Sequence, residues 1–223
     1  MANRKSLIWD LPTRLFHWSL TILVSISVYT GLTGGFKEME YHMLSGYCIL
    51  ALVLFRICWG FLGSYHARFR NFVSLRDVLP YIRQILQRNK TSIGHNPLGA
   101  WNVIAMLTVL LVQTATGLFS DDDIMTEGPL THLVTDDIGN ELTGIHHLNA
   151  WLIYGLVGLH LAAISFYEIY HRDQLILPMI TGRKREPEAQ AAGSEPSVRY
   201  EITTAVFLAA VCSGFVYYLV NEA

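Results

Sequence analysis

Residues Gly144–His171 read GIHHLNAWLIYGLVGLHLAAISFYEIYH. From Leu148 to Tyr167 the stretch is almost purely apolar, about the 20 residues that cross a bilayer core as a helix. It nevertheless carries His146, His147 and His160. Imidazole at such a depth is costly and points to a functional site. At about 100° per residue, His146 and His160 share a helix face to within ~40°, whereas His147 lies ~140° from His160. His146 and His160 can therefore look into one bundle interior, ~21 Å apart along the axis. That spacing suits two cofactors stacked across a membrane, not one shared ion.

Four further stretches have similar character, so the expected spans are 15–34, 42–63, 98–119, 145–168 and 201–220. The composition agrees. Of 223 residues, 52% are hydrophobic and 15% are charged, a low charge content for a soluble domain. Cys48, Cys58 and Cys212 are an odd set within apolar runs, which argues against a disulfide framework. No C-x-x-C-H motif is present to attach a c-type haem, and nothing in the pattern points to nucleic acid. Asp10-Leu-Pro12 opens the first span as a cap followed by a first-turn proline. No cleavage site follows, so this span is read as retained. Trp9, Trp18, Trp59 and Trp101 fall near span ends, where interfacial aromatics collect.

The connections set an orientation. Arg4, Lys5 and Arg14 precede or open the first span, and the 64–97 and 169–200 loops are rich in arginine. The 120–143 loop has no Lys or Arg but holds Asp121, Asp122, Asp123, Glu127, Asp136, Asp137 and Glu141. The positive-inside rule puts the N-terminus in the cytoplasm and the acidic loop outside; five spans put the C-terminus in the periplasm. Residues 74–88 read as a short amphipathic helix on the inner surface, in contact with membrane lipid. Residues 186–200 form a polar linker, dividing a domain over 1–185 from an additional helix over 201–223.

This orientation sorts the histidines by depth. His17 and His160 fall at the inner level of two spans, and His42 and His146 at the outer level of two. Low-spin haem takes two imidazoles at one depth from different helices, so the expected ligand pairs are His17/His160 and His42/His146. Gly31 follows His17 by 14 residues, Gly60 follows Gly46 by 14, and Gly117 follows Gly99 by 18, spacings that keep each pair on one helix face. They could make room for porphyrin or for close helix packing. Arg56 follows His42 on the same face at inner depth, placed for an inner propionate or for snorkelling to headgroups.

Together these segments resemble the prokaryotic di-haem cytochrome b561 family of the nickel–iron hydrogenase cytochrome b type. The likeness rests on WDLPTRLFHW (9–18), HMLSGY (42–47), FRICWGFLGSYHARF (55–69), GHNPLGAWNVIAML (94–107), QTATGLFSDDD (113–123), GIHHLNAW (144–151), LVGLH (156–160) and TGRKR (181–185). It implies an all-α membrane protein: a four-helix transmembrane bundle holding two haem b groups, to which this chain adds a fifth C-terminal helix. It implies axial positions at His17, His42, His146 and His160, and electron exchange with membrane quinone. Many members carry Glu at the position of His147. The expected function is electron relay between quinone or quinol and a periplasmic partner, either a c-type cytochrome or a hydrogenase-like complex. This would take place in the bacterial inner membrane, with quinone near Arg14 and Arg56 and with homodimer formation open. The alternative is a membrane anchor in which haem is mainly structural.

Overall fold

The computed structural model describes residues 3–73, 97–121, 126–187 and 198–222. The chain starts with strand β1 (Asn3–Leu7), then α1 (Leu11–Thr33), α2 (Phe36–Leu62) and the single turn α3 (Phe69–Phe72). Next come α4 (Pro97–Gly117) and α5 (Asp136–Phe166), the latter running on as a π-helical turn over Tyr167–His171. The short α6 (Ile176–Thr181), strand β2 (Arg183–Pro187) and α7 (Val198–Asn221) complete it. Among the described residues, five helices are long and apolar enough to cross a membrane. The chain is a multi-pass helical membrane protein.

Each helix starts and stops for a local reason. Asp10 caps α1, its Oδ1 accepting the Thr13 N–H at 2.7 Å, and a proline sits in the first turn. Gly34 and Gly35, at φ +61° and +112°, turn the chain directly into α2, a conformation open to glycine at little cost. Helix α5 begins at Asp136, ahead of the span expected over 145–168, because Asp136 and Asp137 occupy its first turn, where carboxylates favour the helix dipole. The loop expected over 120–143 is accordingly shorter.

The helices pack in sequence: α1 along α2, α2 along α4, and α4 along α5, with α7 laid against the outside of α2. One core runs through them, with Phe16, Ile49, Val53, Phe55, Leu107, Leu110 and Ile153 joined by Ala205 and Cys212 of α7. The end of the bundle that holds the N-terminus is termed the near end; the Gly34–Gly35 turn and residues 118–121 and 126–135 form the far end.

The near end holds a feature the hydrophobic pattern did not show. Strands β1 and β2 pair antiparallel, Asn3 opposite Pro187 and Leu7 opposite Arg183. The Ile8 and Trp9 amides both donate to the Gly182 carbonyl, at 2.8 and 3.2 Å. The segment expected as a loop after the fourth span thus holds α6 and β2. Glu186 and Pro187, expected as linker, end this ribbon; the remainder of the linker up to residue 197 and the amphipathic 74–88 segment lie outside the described residues.

Two of the tryptophans expected at the membrane interface are core residues instead. Trp59 is 1% exposed and Trp9 is buried. The reason is hydrogen bonding: the Trp59 indole donates to the Asp10 carboxylate at 3.1 Å, which satisfies its N–H away from water.

Candidate functional site

Four half-buried histidines meet in two tiers inside the bundle. In the near tier, His17 of α1 faces His160 of α5, ring centroids 6.4 Å apart and planes at 53°. In the far tier, His42 of α2 faces His146 of α5 at 6.2 Å and 77°. Each tier therefore joins rings from two helices, and α5 supplies one ring to each.

The far tier is the more elaborately held. His42 Nδ1 lies 2.9 Å from the Ser27 carbonyl on α1. His146 Nδ1 lies 2.9 Å from the Gln113 carbonyl on α4. A carbonyl only accepts, so both Nδ1 atoms carry the proton and both Nε2 atoms keep a lone pair. The Gln113 side-chain amide donates to His146 Nε2 at 3.0 Å. Asn149, 6% exposed, fixes that amide by donating to Gln113 Oε1 at 2.8 Å and to the Val109 carbonyl at 2.9 Å. A cavity of about 360 Å³ opens beside the pair.

The near tier is plainer. His17 Nδ1 is buried with no hydrogen-bond partner among the described residues. His160 Nδ1 has the Asn102 amide at 3.5 Å. Below this tier lies a compact polar knot. Asp10 accepts from Thr13, Trp59 and the Ser64 hydroxyl. Arg56, 2% exposed, donates from Nη2 to the Ala67 carbonyl at 3.2 Å and lies 4.9 Å over the Phe69 ring. Its Nη1 has no partner among the described residues. Such enclosure is not snorkelling. Arg14 donates from Nη1 to the Ile180 carbonyl at 2.6 Å, tying α1 to α6.

The glycines divide by what they admit. A Cβ on Gly31 would stand 2.9 Å from His42 Cε1, and one on Gly117 would stand 3.0 Å from His146 Cε1. Both clear space for a far-tier ring. Gly46 has nothing within 4 Å of an added Cβ and lines the far cavity. Gly60 differs: its missing side chain makes way for Phe69, the ring over Arg56, rather than for a flat cofactor.

The donor set fits haem. No group of three or more His, Cys, Asp or Glu that could hold a metal ion occurs among the described residues. A pair of imidazoles alone suits a metal that brings its own equatorial donors. The 6.2 Å far-tier separation leaves about 2 Å for two ring radii once two metal–nitrogen bonds of about 2 Å are subtracted. His147 is exposed, its ring 6.2 Å from that of His146, and it lines the same cavity without facing His42 as a pair. Sequence spacing alone missed Gln113, Asn149 and Asn102, which are ordinary amides within apolar helices; their meaning comes from the histidines opposite.

Comparison with known proteins gives one family. The prokaryotic cytochrome b561 profile matches residues 8–182. Similar proteins include Ni/Fe-hydrogenase B-type cytochrome subunits. That of Rhizobium leguminosarum bv. viciae is 25% identical over 79% of this chain and 87% of its own length. That of Azotobacter vinelandii is 26% identical over 78% and 86%. The hydrogenase 1 subunit of Escherichia coli K12 is 22% identical over 85% and 95%. No solved structure matches.

Proposed function

The chain belongs to the prokaryotic cytochrome b561 family, and on that footing we propose that it is a transmembrane electron-transfer cytochrome b. The observation that carries this is the pair of tiers, two imidazole couples at 6.4 and 6.2 Å from separate helices. His17 and His160 hold one haem b, and His42 and His146 hold the other. When bound, each haem supplies a one-electron Fe(III)/Fe(II) couple. The protein positions the rings, fixes the far-tier tautomers and excludes water with its apolar core.

Arg56 is the buried cation for a near-tier propionate, with Nη1 free to donate. Arg14, anchored on Ile180, stands at the near end, where membrane quinone or quinol exchanges electrons. The far end faces the periplasm, where an acidic surface receives a redox partner. The similar hydrogenase subunits favour a hydrogenase-like complex; a c-type cytochrome is the other candidate. The setting is the bacterial inner membrane, N-terminus cytoplasmic and C-terminus periplasmic. Residues 1–185 form the haem-binding unit, and α7 is an addition to it.

A reduced-minus-oxidised spectrum of the purified full chain tests this. Two b-type components, both reduced by a quinol analogue, are expected. Haem that stays oxidised with quinol would make the chain an anchor, and absence of haem would end the electron-transfer reading.

A further inference from the structure

Helix α7 lies beyond residues 8–182, which the family profile matches. It packs closely on α2 and only lightly on α1. A cleft of about 780 Å³ therefore opens between α1 and α7, with α2 as its floor. Small side chains keep it open: Ser19 of α1, Cys48 and Ala51 of α2, and Ala209 and Ser213 of α7. The walls are otherwise largely apolar, with Leu15 and Leu23 on one side and Val206 on the other. The four tier histidines are not among its lining residues. All three helices are long and apolar enough to cross a membrane, so the cleft opens towards lipid. Water finds few polar partners there, and an occupant is apolar along most of its length.

Size narrows the choice of occupant. A spanning helix 10–12 Å across and about 30 Å long displaces on the order of 2000 Å³, too much for the cleft. Where α1 forms its wall, from Leu11 to Leu23, the cleft is ~18 Å long. That is close to half of a hydrocarbon core of about 30 Å, the reach of one lipid chain from one leaflet. Charge then selects the end at which a headgroup sits. The near mouth is at Leu11, Pro12 and Ile202, and the far mouth at Tyr47, Tyr217 and Asn221. Arg14, Arg68, Arg70, Arg172 and Arg183 lie at the near end against Glu168 and the buried Asp10 and Asp173. Strands β1 and β2 add Arg4, Lys5, Lys184 and Arg185 against Glu186, and the first turn of α7 adds Arg199 against Glu201. The far end carries Glu38, Glu40, Asp121, Asp136, Asp137 and Glu141 against Lys37, and Glu222 directly follows Asn221. Anionic headgroups gather beside cations at the membrane surface, within about 8 Å at physiological salt, and carboxylates repel them.

We propose that the cleft between α1 and α7 binds an anionic phospholipid, one acyl chain lying over α2 and the phosphate headgroup at the basic near end. The site is separate from the histidine tiers and does not depend on the electron-transfer reading. It gives α7 a task of its own, since without that helix the cleft loses one wall and α2 faces the bilayer directly.

Native mass spectrometry of the full-length protein tests this, after delipidation in detergent and incubation with equal amounts of dioleoyl phosphatidylglycerol and dioleoyl phosphatidylcholine. One phosphatidylglycerol, retained several-fold over phosphatidylcholine, is expected. Ala209→Phe and Ser213→Phe fill the cleft from exposed positions on α7 and should abolish that preference. Equal retention of the two lipids would mean a general lipid annulus and overturns the proposal, as does a preference unchanged in both variants. Displacement of the lipid by inorganic phosphate overturns it too, since the site would then recognise a bare anion and no chain. A long-chain quinone added to the mixture and retained in place of phosphatidylglycerol assigns the cleft to quinone, and a lipid-free dimer assigns it to a second copy; either result sinks the phospholipid. Should the variants fail to accumulate, Cys48 serves in the wild type, because its thiol is exposed in the cleft floor. Phosphatidylglycerol should slow alkylation of Cys48 by N-ethylmaleimide several-fold more than phosphatidylcholine does, and equal rates overturn the proposal.

Discussion

At Gly31 and Gly117 a single methyl group would crowd the rings of His42 and His146, 2.9 and 3.0 Å from Cε1. Those contacts are tighter than a rigid ring on a fixed helix can absorb without moving, and the far-tier geometry depends on both rings. Gly117→Val is expected to halve the haem content, measured by pyridine haemochrome, and to remove only the far component. His160→Ala should likewise remove one component, from the near tier, while His147→Ala should keep both. Loss of a component in His147→Ala would move the far ligand by one residue. Asp10 shows a different kind of dependence. Asp10→Ala removes a helix cap worth about 1 kcal/mol. It also strands the buried Trp59 indole, a further cost of about 1–3 kcal/mol. A lowered melting temperature in detergent, with both haem components still present, is the expected outcome.

Among the elements, α2 bears the most connections: it packs on α1, α4 and α7 and carries His42, Arg56 and Trp59. Its last turns are shaped by the segment that follows. Gly60 admits the Phe69 ring, which covers Arg56. Gly60→Ala should push that ring away and cost about 1–3 kcal/mol by overpacking, read as a fall in melting temperature. Helix α7 provides Ala205 and Cys212 to the core but no tier residue. Truncation after Pro187 is expected to lower thermal stability and leave both spectral components in place. Loss of a component on truncation would make α7 part of the haem-binding unit.

For the whole molecule, the proposed orientation rests on the distribution of charge and the parity of the spans. The proposed orientation, with five spans crossing, puts the termini on opposite sides. Fusion of an enzyme active only in the periplasm should give activity at the C-terminus and none at the N-terminus. The reverse pattern would invert the assignment of the acidic end. The β1–β2 ribbon and the contact of Arg14 with Ile180 close the near end by joining residues more than 160 positions apart. At the far end the ties join residues nearer in sequence: the Leu130 amide donates to the Leu118 carbonyl at 2.9 Å and the Asp121 amide to the Thr143 hydroxyl at 3.2 Å.

The helical membrane architecture was legible in the sequence, because runs of about 20 apolar residues have few other stable fates. The periodicity of one helix also placed His146 and His160 on a common face, since that angle follows from local geometry alone. Other features were not written in any local pattern. Trp59 looked interfacial until Asp10 supplied its acceptor, and Gly60 was open to cofactor room or close packing until Phe69 filled the space. Gln113 and Asn149 had no signal of their own. The pairing of β1 with β2, and the carbonyls that fix the two far-tier imidazoles, depend on segments distant in sequence. Helix formation is decided by near neighbours and by the solvent around the chain, whereas a hydrogen-bond partner is decided by which helix packs opposite, and only the tertiary structure settles that.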